Sequence, residues 1–212
     1  MLQTLLHPPI ATLLWLTVAA IAAARIAVLQ GRLRLLAEQA VTDPLTGAFN
    51  RRQMYVALAA AVERRHRAIE RASILLFDVD RFKDVNDALG HAEGDRVLKA
   101  LVALAAARFR KLDLVFRVGG EEFVLLLAGA RLADALRVAE ELRTLVRDAG
   151  IVPGWPLSIS IGVAEVETHH SVEAWLADAD VALYRAKCAG RNRVAGRAAG
   201  AREPRSLPAV TV

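Results

Sequence analysis

The chain has 212 residues, enough for one domain with extensions, and its 55% apolar content supplies a sizeable core. Charged residues make up 24% and the net charge is +5, but no basic stretch interleaved with aromatics forms a nucleic-acid groove, so no nucleic-acid partner is expected. The single cysteine, Cys188, excludes an internal disulfide framework and fits a reducing compartment.

Taken in chain order, the first element is apolar. Ile10 to Leu29 carries one charge, Arg25, and as a helix rising about 1.5 Å per residue it spans roughly 30 Å, the thickness of a bilayer core. Pro8 and Pro9 precede it, as prolines often precede a helix start. Arg25, Arg32, Arg34, Arg51 and Arg52 follow it while no Lys or Arg comes before it, so the positive-inside rule puts the rest of the chain in the cytoplasm. An amphipathic or core helix is the plainer alternative. Ile26, Leu29, Leu33, Leu36 and Ala40 continue the helix with an a/d spacing suited to pairing with a second copy. Asp43-Pro44 ends it, and Thr42 to Gly47 reads as a hinge.

Beyond the hinge the patterns predict a helix over Asn50–Arg71 with Asn50 as N-cap, then a buried strand over Ser73–Phe77. A helix over Ala92–Arg110 follows, then two strands near Leu114–Val118 and Phe123–Leu127. Gly119-Gly120 joins these as a tight hairpin turn whose central positions take positive φ. Arg131–Ala149 repeats apolar residues on one face and stops at Gly150. Leu157–Val166 alternates as a strand, and Ser171 caps a last helix, Val172–Ala189. The order β-α-β-β-α-β predicts an α+β, ferredoxin-like sandwich behind an N-terminal transmembrane helix. The expected divisions are a segment 1–9, a span 10–29, a signalling helix 30–42, a catalytic domain 43–195 and a disordered tail 196–212.

Two glutamates, Glu121 and Glu122, sit at the hairpin, where packing gains nothing from them; adjacent carboxylates there can hold hard cations. Asp78 ends the first strand beside the hairpin, and with the carbonyl of Val79 it adds oxygen ligands. Lys83 places a point charge just past that strand, while Lys187 and Arg191 read either as phosphate ligands or as ordinary C-terminal helix charge.

R-V-G-G-E-E-F (Arg117–Phe123) resembles the signature of the GGDEF family, the diguanylate cyclases of bacterial signalling. D-P-L-T-G-A-F-N-R-R (43–52), F-D-V-D-R-F-K-D-V-N-D (77–87), G-H-A-E-G-D (90–95) and Y-R-A-K-C-A-G-R-N (184–192) extend the resemblance over residues 41 to 195. It implies a nucleotide-cyclase-like fold and the condensation of two GTP into cyclic di-GMP and two pyrophosphates by a homodimer with Mg²⁺. It carries metal ligation onto Asp78, Val79, Glu121 and Glu122, proton abstraction onto Glu121 and transition-state charge stabilisation onto Lys83. Guanine recognition falls on Asn86 and Asp95, and phosphate binding on Lys187 and Arg191. His91 reads equally as a structural histidine and as a substrate contact. Arg110 and Asp113 match an R-x-x-D inhibitory site for cyclic di-GMP. The spacing of a further arginine from the next helix lands on Glu141, with Arg137 and Arg143 nearby. The whole reads as a single-pass protein of the bacterial inner membrane. The alternative is a catalytically inactive, membrane-bound sensor of cyclic di-GMP or GTP.

Overall fold

The computed structural model describes residues 8–39, 41–68, 70–110 and 112–197; in 8–11 and 32–39 only the backbone is described. Contacts divide the chain into two units, residues 1–40 and 41–212. Among the described residues, the first contains one helix, α1 (Pro8–Gln39). Its stretch Thr12–Gly31 is long and apolar enough to cross a membrane, with mean hydropathy 2.0 and no residue buried, which is weak evidence by length and composition alone. The side chains of Leu33, Leu36 and Ala40 in the expected seam, and residues 198–212 of the expected tail, lie outside the described residues.

The second unit is built on a mixed sheet. Its strands are β1 (Phe49–Asn50), β2 (Ala72–Val79), β3 (Leu114–Arg117), β4 (Glu122–Ala128), β5 (Ile159–Glu165) and β6 (Val194–Arg197). Their order across the sheet is β1-β3-β4-β2-β5-β6. The four central strands are antiparallel in ferredoxin-like order, while β1 and β6 add parallel edges to β3 and β5. The expected four-stranded sheet is thus six-stranded. The helices are α2 (Arg51–His66), α3 (Phe82–Leu89), α4 (His91–Arg108), α5 (Leu132–Asp148) and α6 (Val172–Cys188). Helix α2 ends five residues before the expected Arg71, and α3 is an additional helix, separated from α4 by Gly90 at φ 84°.

Every residue of β2 is buried because helices cover both sheet faces. Leu75, Phe77 and Val79 pack with Phe123, Leu125, Ile159 and Ile161 under Val97, Leu101, Ala139 and Leu142 of α4 and α5. The alternate residues Ile74 and Leu76 pack with Val124 and Leu126 under Leu58 of α2 and Trp175, Ala179 and Leu183 of α6. Period-2 alternation therefore aims Asp78 and Glu122, which are direct cross-strand partners, toward the α6 face. The predicted caps form: Asn50 accepts the Gln53 N–H at 2.9 Å and Ser171 the Ala174 N–H at 3.2 Å.

One glycine fixes how closely α6 approaches. A Cβ on Gly162 of β5 would lie 2.1 Å from the Ala179 carbonyl oxygen and 2.3 Å from the Leu183 nitrogen. Only glycine lets the helix backbone rest directly on the strand there.

Candidate active site

The hairpin turn differs from the tight two-residue form. Arg117 and Phe123 are the last paired residues, and Glu122 O accepts N–H bonds from Val118 at 3.0 Å and Gly119 at 3.4 Å. Neither Gly119 nor Gly120 is among the positive-φ glycines. Their smallness serves another end: a Cβ on Gly119 would meet Glu122 Oε2 at 2.7 Å, whereas one on Gly120 would meet nothing within 4 Å. The turn is held instead by Arg117, whose guanidinium donates to the Gly120 carbonyl (2.7 and 3.2 Å) and to Asp43 Oδ1 (3.0 Å). Asp43 also accepts from the Thr46 N–H at 2.9 Å and hydroxyl at 2.7 Å. Burial opposes its ionisation, but these bonds and the Arg117 charge outweigh it and hold its carboxyl below the ordinary value. The segment read as a hinge is therefore tied to the hairpin.

The wider turn also answers how two neighbouring glutamates serve one site. Glu122 is the first residue of β4, opposite Asp78, whereas Glu121 lies in the turn, free of strand alternation. Burial first, then repulsion from Asp78 and Glu122, raises the Glu121 carboxyl above its ordinary value despite the Lys187 charge. Burial raises Asp78 too, helped by repulsion from Asp80 and opposed by Lys187 and Arg191. The Lys187 ammonium is 2.9 Å from Asp78 Oδ2. Carboxylates that repel one another at a strand end are a donor set that fits a hard divalent cation. Val79, the last residue of β2, is fully buried.

Lys83 and Asn86 lie on α3, and His91 and Asp95 on the first turns of α4. His91 and Asp95 are exposed and four residues apart, on one helix face. Asn86 packs against that same turn: a Cβ on Gly94 would sit 2.0 Å from Asn86 Oδ1, so Gly94 is what lets the Asn86 side chain of α3 lie against the first turn of α4, beside the position of Asp95 in sequence. Lys187 is in the last turn of α6, and Arg191 follows in the left-handed region at φ 61°.

Arg110 and Asp113 close a turn of their own. Asp113 Oδ2 accepts the Arg110 N–H at 3.1 Å, and the Asp113 N–H bonds the Arg110 carbonyl at 2.9 Å. Both line a cleft of about 420 Å³ with Arg108, Asp134, Arg137 and Glu141. Of the three positions near the expected arginine, Arg137 and Glu141 thus share the cleft, and Arg143 does not. Arg143 is buried, bonded to Glu140 at 2.6 Å and to Asn192 Oδ1 at 2.6 Å.

Residues 40–193 match the family described as diguanylate cyclase, GGDEF domain. The chain belongs to this GGDEF family. It is 48% identical over 154 residues to diguanylate cyclase DgcM of Escherichia coli K12, covering 72% of this chain and 37% of that protein. It is 43% identical over 168 residues to the response regulator PleD of Caulobacter vibrioides NA1000, covering 76% and 37%. The chain therefore spans well under half the length of these relatives. Among solved structures, the GGDEF domain of DgcB from Caulobacter crescentus in complex with c-di-GMP aligns with TM-score 0.69 at 28% identity, over 74% of this chain and 95% of that one. The active GGEEF domain of a diguanylate cyclase from Vibrio cholerae aligns with TM-score 0.66 at 32% identity, over 69% and 96%.

Around the GGDEF signature lie residues that the sequence reading passed over: Arg117 under the turn, Gly162 under α6, and Asp80. An acid–histidine cluster lies elsewhere, in the β5–α6 loop. There Glu167, His169 and His170 cluster, but His170 Nδ1 accepts the Glu167 N–H at 3.1 Å and Nε2 faces Asp178 at 3.5 Å, so the buried ring serves the loop's own structure.

Proposed function

We propose that the chain is a diguanylate cyclase that condenses two GTP into cyclic di-GMP and two pyrophosphates as a homodimer with Mg²⁺, subject to product inhibition. The observation that carries the reading is the pairing of Asp78 with Glu122 across β2 and β4, with Glu121 beside them and Lys187 at 2.9 Å. Asp78, Glu121, Glu122 and the Val79 carbonyl would hold the metal, which supplies neutralisation of phosphate charge.

In each half-reaction the 3′-oxygen of one GTP forms a bond to the α-phosphorus of the other. The bond from that phosphorus to the β-bridging oxygen breaks, and pyrophosphate leaves with its electron pair. Glu121 accepts the proton from the attacking hydroxyl; its elevated proton affinity favours that role over an ordinary carboxylate's. Lys83 stabilises charge on the reacting phosphate, and Lys187 and Arg191 hold the triphosphate against the turn. Asp95 accepts from guanine N1–H and its amino group while Asn86 bonds the same base, which rejects adenine because adenine offers no donors there. His91 shares a helix face with Asp95 and is assigned to substrate contact. One domain presents one such site, so two copies must face each other. Arg110 and Asp113, with Arg137 completing the cleft, bind the product's guanine and phosphate.

Helix α1 is assigned as a single pass of the bacterial inner membrane with the catalytic domain in the cytoplasm. The test is incubation of the purified full chain with GTP and Mg²⁺. Cyclic di-GMP should form in the parent and not in Glu121→Ala. Binding of cyclic di-GMP without turnover of GTP would select the sensor reading instead.

A further inference from the structure

Two acids, Asp78 and Asp80, flank Val79 at the end of β2, and only Asp78 belongs to the acidic cluster. Asp80, one residue past the strand, is 9% exposed. Its Oδ1 accepts the Ser160 hydroxyl at 2.6 Å; its Oδ2 accepts the Ser158 hydroxyl at 2.7 Å and the Asn192 backbone N–H at 2.9 Å. Its own N–H bonds the Ser158 carbonyl at 2.9 Å. The end of β2 is thereby stitched to the start of β5 and to the loop after α6.

That loop needs a restraint. Arg191 and Asn192 have φ of 61° and 44°, a conformation that side-chain-bearing residues adopt at a cost and keep only where the surroundings hold them. Two holds meet at Asn192. Asp80 takes its backbone N–H, and Arg143 Nη1 donates to its side-chain Oδ1 at 2.6 Å. Arg143 is buried and steadied by Glu140, so the second hold is itself fixed. Next to this clamp stands Arg191, just beyond the end of α6 and four residues after Lys187, whose ammonium lies 2.9 Å from Asp78 Oδ2.

We propose that Asp80 and Arg143 form a clamp on Asn192 that positions Arg191 for the triphosphate. They are positioning residues for nucleotide binding and touch no substrate. The inference rests on the phosphate role assigned above to Arg191. It predicts that loss of the clamp weakens GTP binding through Arg191 alone.

The experiment is a double-mutant cycle on the full chain, reading KM and kcat for GTP and the binding of a fluorescent GTP analogue. Asp80→Asn keeps the shape but removes the charge that the two hydroxyls and the Asn192 N–H share, and its N–H₂ is met only if a serine hydroxyl turns to accept. It should raise KM about tenfold, the size of one loosened charge-assisted phosphate contact, and change kcat less than threefold. In an Arg191→Ala background the same substitution should add less than twofold. Asn192→Gly gives a second route: glycine accepts the left-handed conformation, so the fold is retained while the Arg143 contact is lost. It should raise KM about threefold and likewise add nothing once Arg191 is gone. Equal effects of Asp80→Asn or Asn192→Gly with and without Arg191 would overturn the clamp and leave the cyclase reading intact. A parent chain that neither turns over nor binds GTP would overturn both. If Arg191→Ala alone leaves KM and analogue binding unchanged while cyclic di-GMP still forms, the clamp falls and the cyclase assignment stands.

Discussion

Substituting Gly162 by alanine tests the geometry that brings α6 to the acidic cluster. The added Cβ would sit 2.1 Å from the Ala179 oxygen, 2.3 Å from the Leu183 nitrogen and 2.8 Å from the Leu183 Cα, against an ordinary contact of 3.4–4 Å. All three atoms are helix backbone, so no rotamer change relieves the clash. Helix α6 must withdraw from β5 by about 1 Å, loosening the buried contacts of Trp175, Ala179 and Leu183. Overpacking of this kind costs about 1–3 kcal/mol, and the absence of a flexible neighbour favours the upper end. At about 2–4 °C per kcal/mol for a domain of this size, the melting temperature should fall by roughly 6–12 °C. Lys187, one turn beyond Leu183, would also lose its 2.9 Å approach to Asp78, so GTP turnover should drop by one to two orders of magnitude, about the effect of a 1 Å misplacement. Two other glycines calibrate the result by calorimetry and GTP turnover. Gly120→Ala meets nothing and should leave both readings near the parent. Gly119→Ala meets only the movable Glu122 carboxylate at 2.7 Å, so it should spare the melting temperature and lower activity. If Gly162→Ala melts within about 2 °C of Gly120→Ala, the close-packing argument is wrong.

Glu121 has its carboxyl raised by burial and by Asp78, so the folded chain binds its proton more tightly than the unfolded chain. Stability contributed by that proton is present at low pH and lost as pH rises through the elevated value. With chelator present, Glu121→Gln should therefore melt higher than the parent at pH 7, with a smaller gain at pH 5, while making no cyclic di-GMP; a gain that shrinks with rising pH would contradict the electrostatics. Glu141 holds Arg108 at 2.6 Å and Arg137 at 2.7 Å, both partly exposed pairs lining the cleft with Arg110 and Asp113. Such pairs are each worth about 0.2–1 kcal/mol, so Glu141→Gln should free both arginines and tighten inhibition by cyclic di-GMP about three- to tenfold. An unchanged inhibition curve alongside a weakened one for Arg110→Ala would show that Glu141 does not compete. Trp175 is fully buried and donates Nε1–H to the Ala164 carbonyl at 3.0 Å. Trp175→Phe should cost about 1–3 kcal/mol in chemical denaturation, since it loses both the bond and some packing.

The strands over 73–77, 123–127 and 157–166 were legible in the sequence because burial on both faces or on one leaves an apolar run or an alternation that no other element explains. The caps at Asn50 and Ser171 were legible because a side-chain oxygen at a helix start has one job. Helix α3 was not, since Phe82, Val85 and Leu89 are its only large apolar residues and the polar residues between them drew a chemical reading. The edge strands β1 and β6 are two and four residues long, too short to carry a period. The turn at Gly119-Gly120 was misread because glycine there answers to the Glu122 side chain rather than to φ. Gly162 did leave a signal: an isolated glycine in an alternating strand marks a close backbone approach. The spacing that the GGDEF resemblance implies for a further arginine lands on Glu141, but the cleft is defined in space, and Arg137, one turn earlier, reaches it as well.

The acids near the hairpin sort by how their environment treats their charge. Asp43 is met by two groups of Thr46 and by Arg117, and its carboxyl is held below the ordinary value. A carboxylate satisfied in that way gains little from a ligand, and its work is to tie residues 41–50 to the turn. Asp80 is met by two hydroxyls and a backbone N–H, and it ties β2 to β5 and the loop after α6. Asp78 and Glu121 are treated the opposite way: burial raises both, repulsion from Asp80 adds to it at Asp78 and repulsion from Asp78 and Glu122 at Glu121, and Lys187, joined at Asp78 by Arg191, only partly offsets this. A cation added beside them relieves both the repulsion and the burial cost, so this pair has the most to gain from binding one. Two carboxylates kept satisfied hold the frame, and the frame keeps the other two close enough to repel. In physical terms, that stored repulsion is what distinguishes a binding site from an acidic turn.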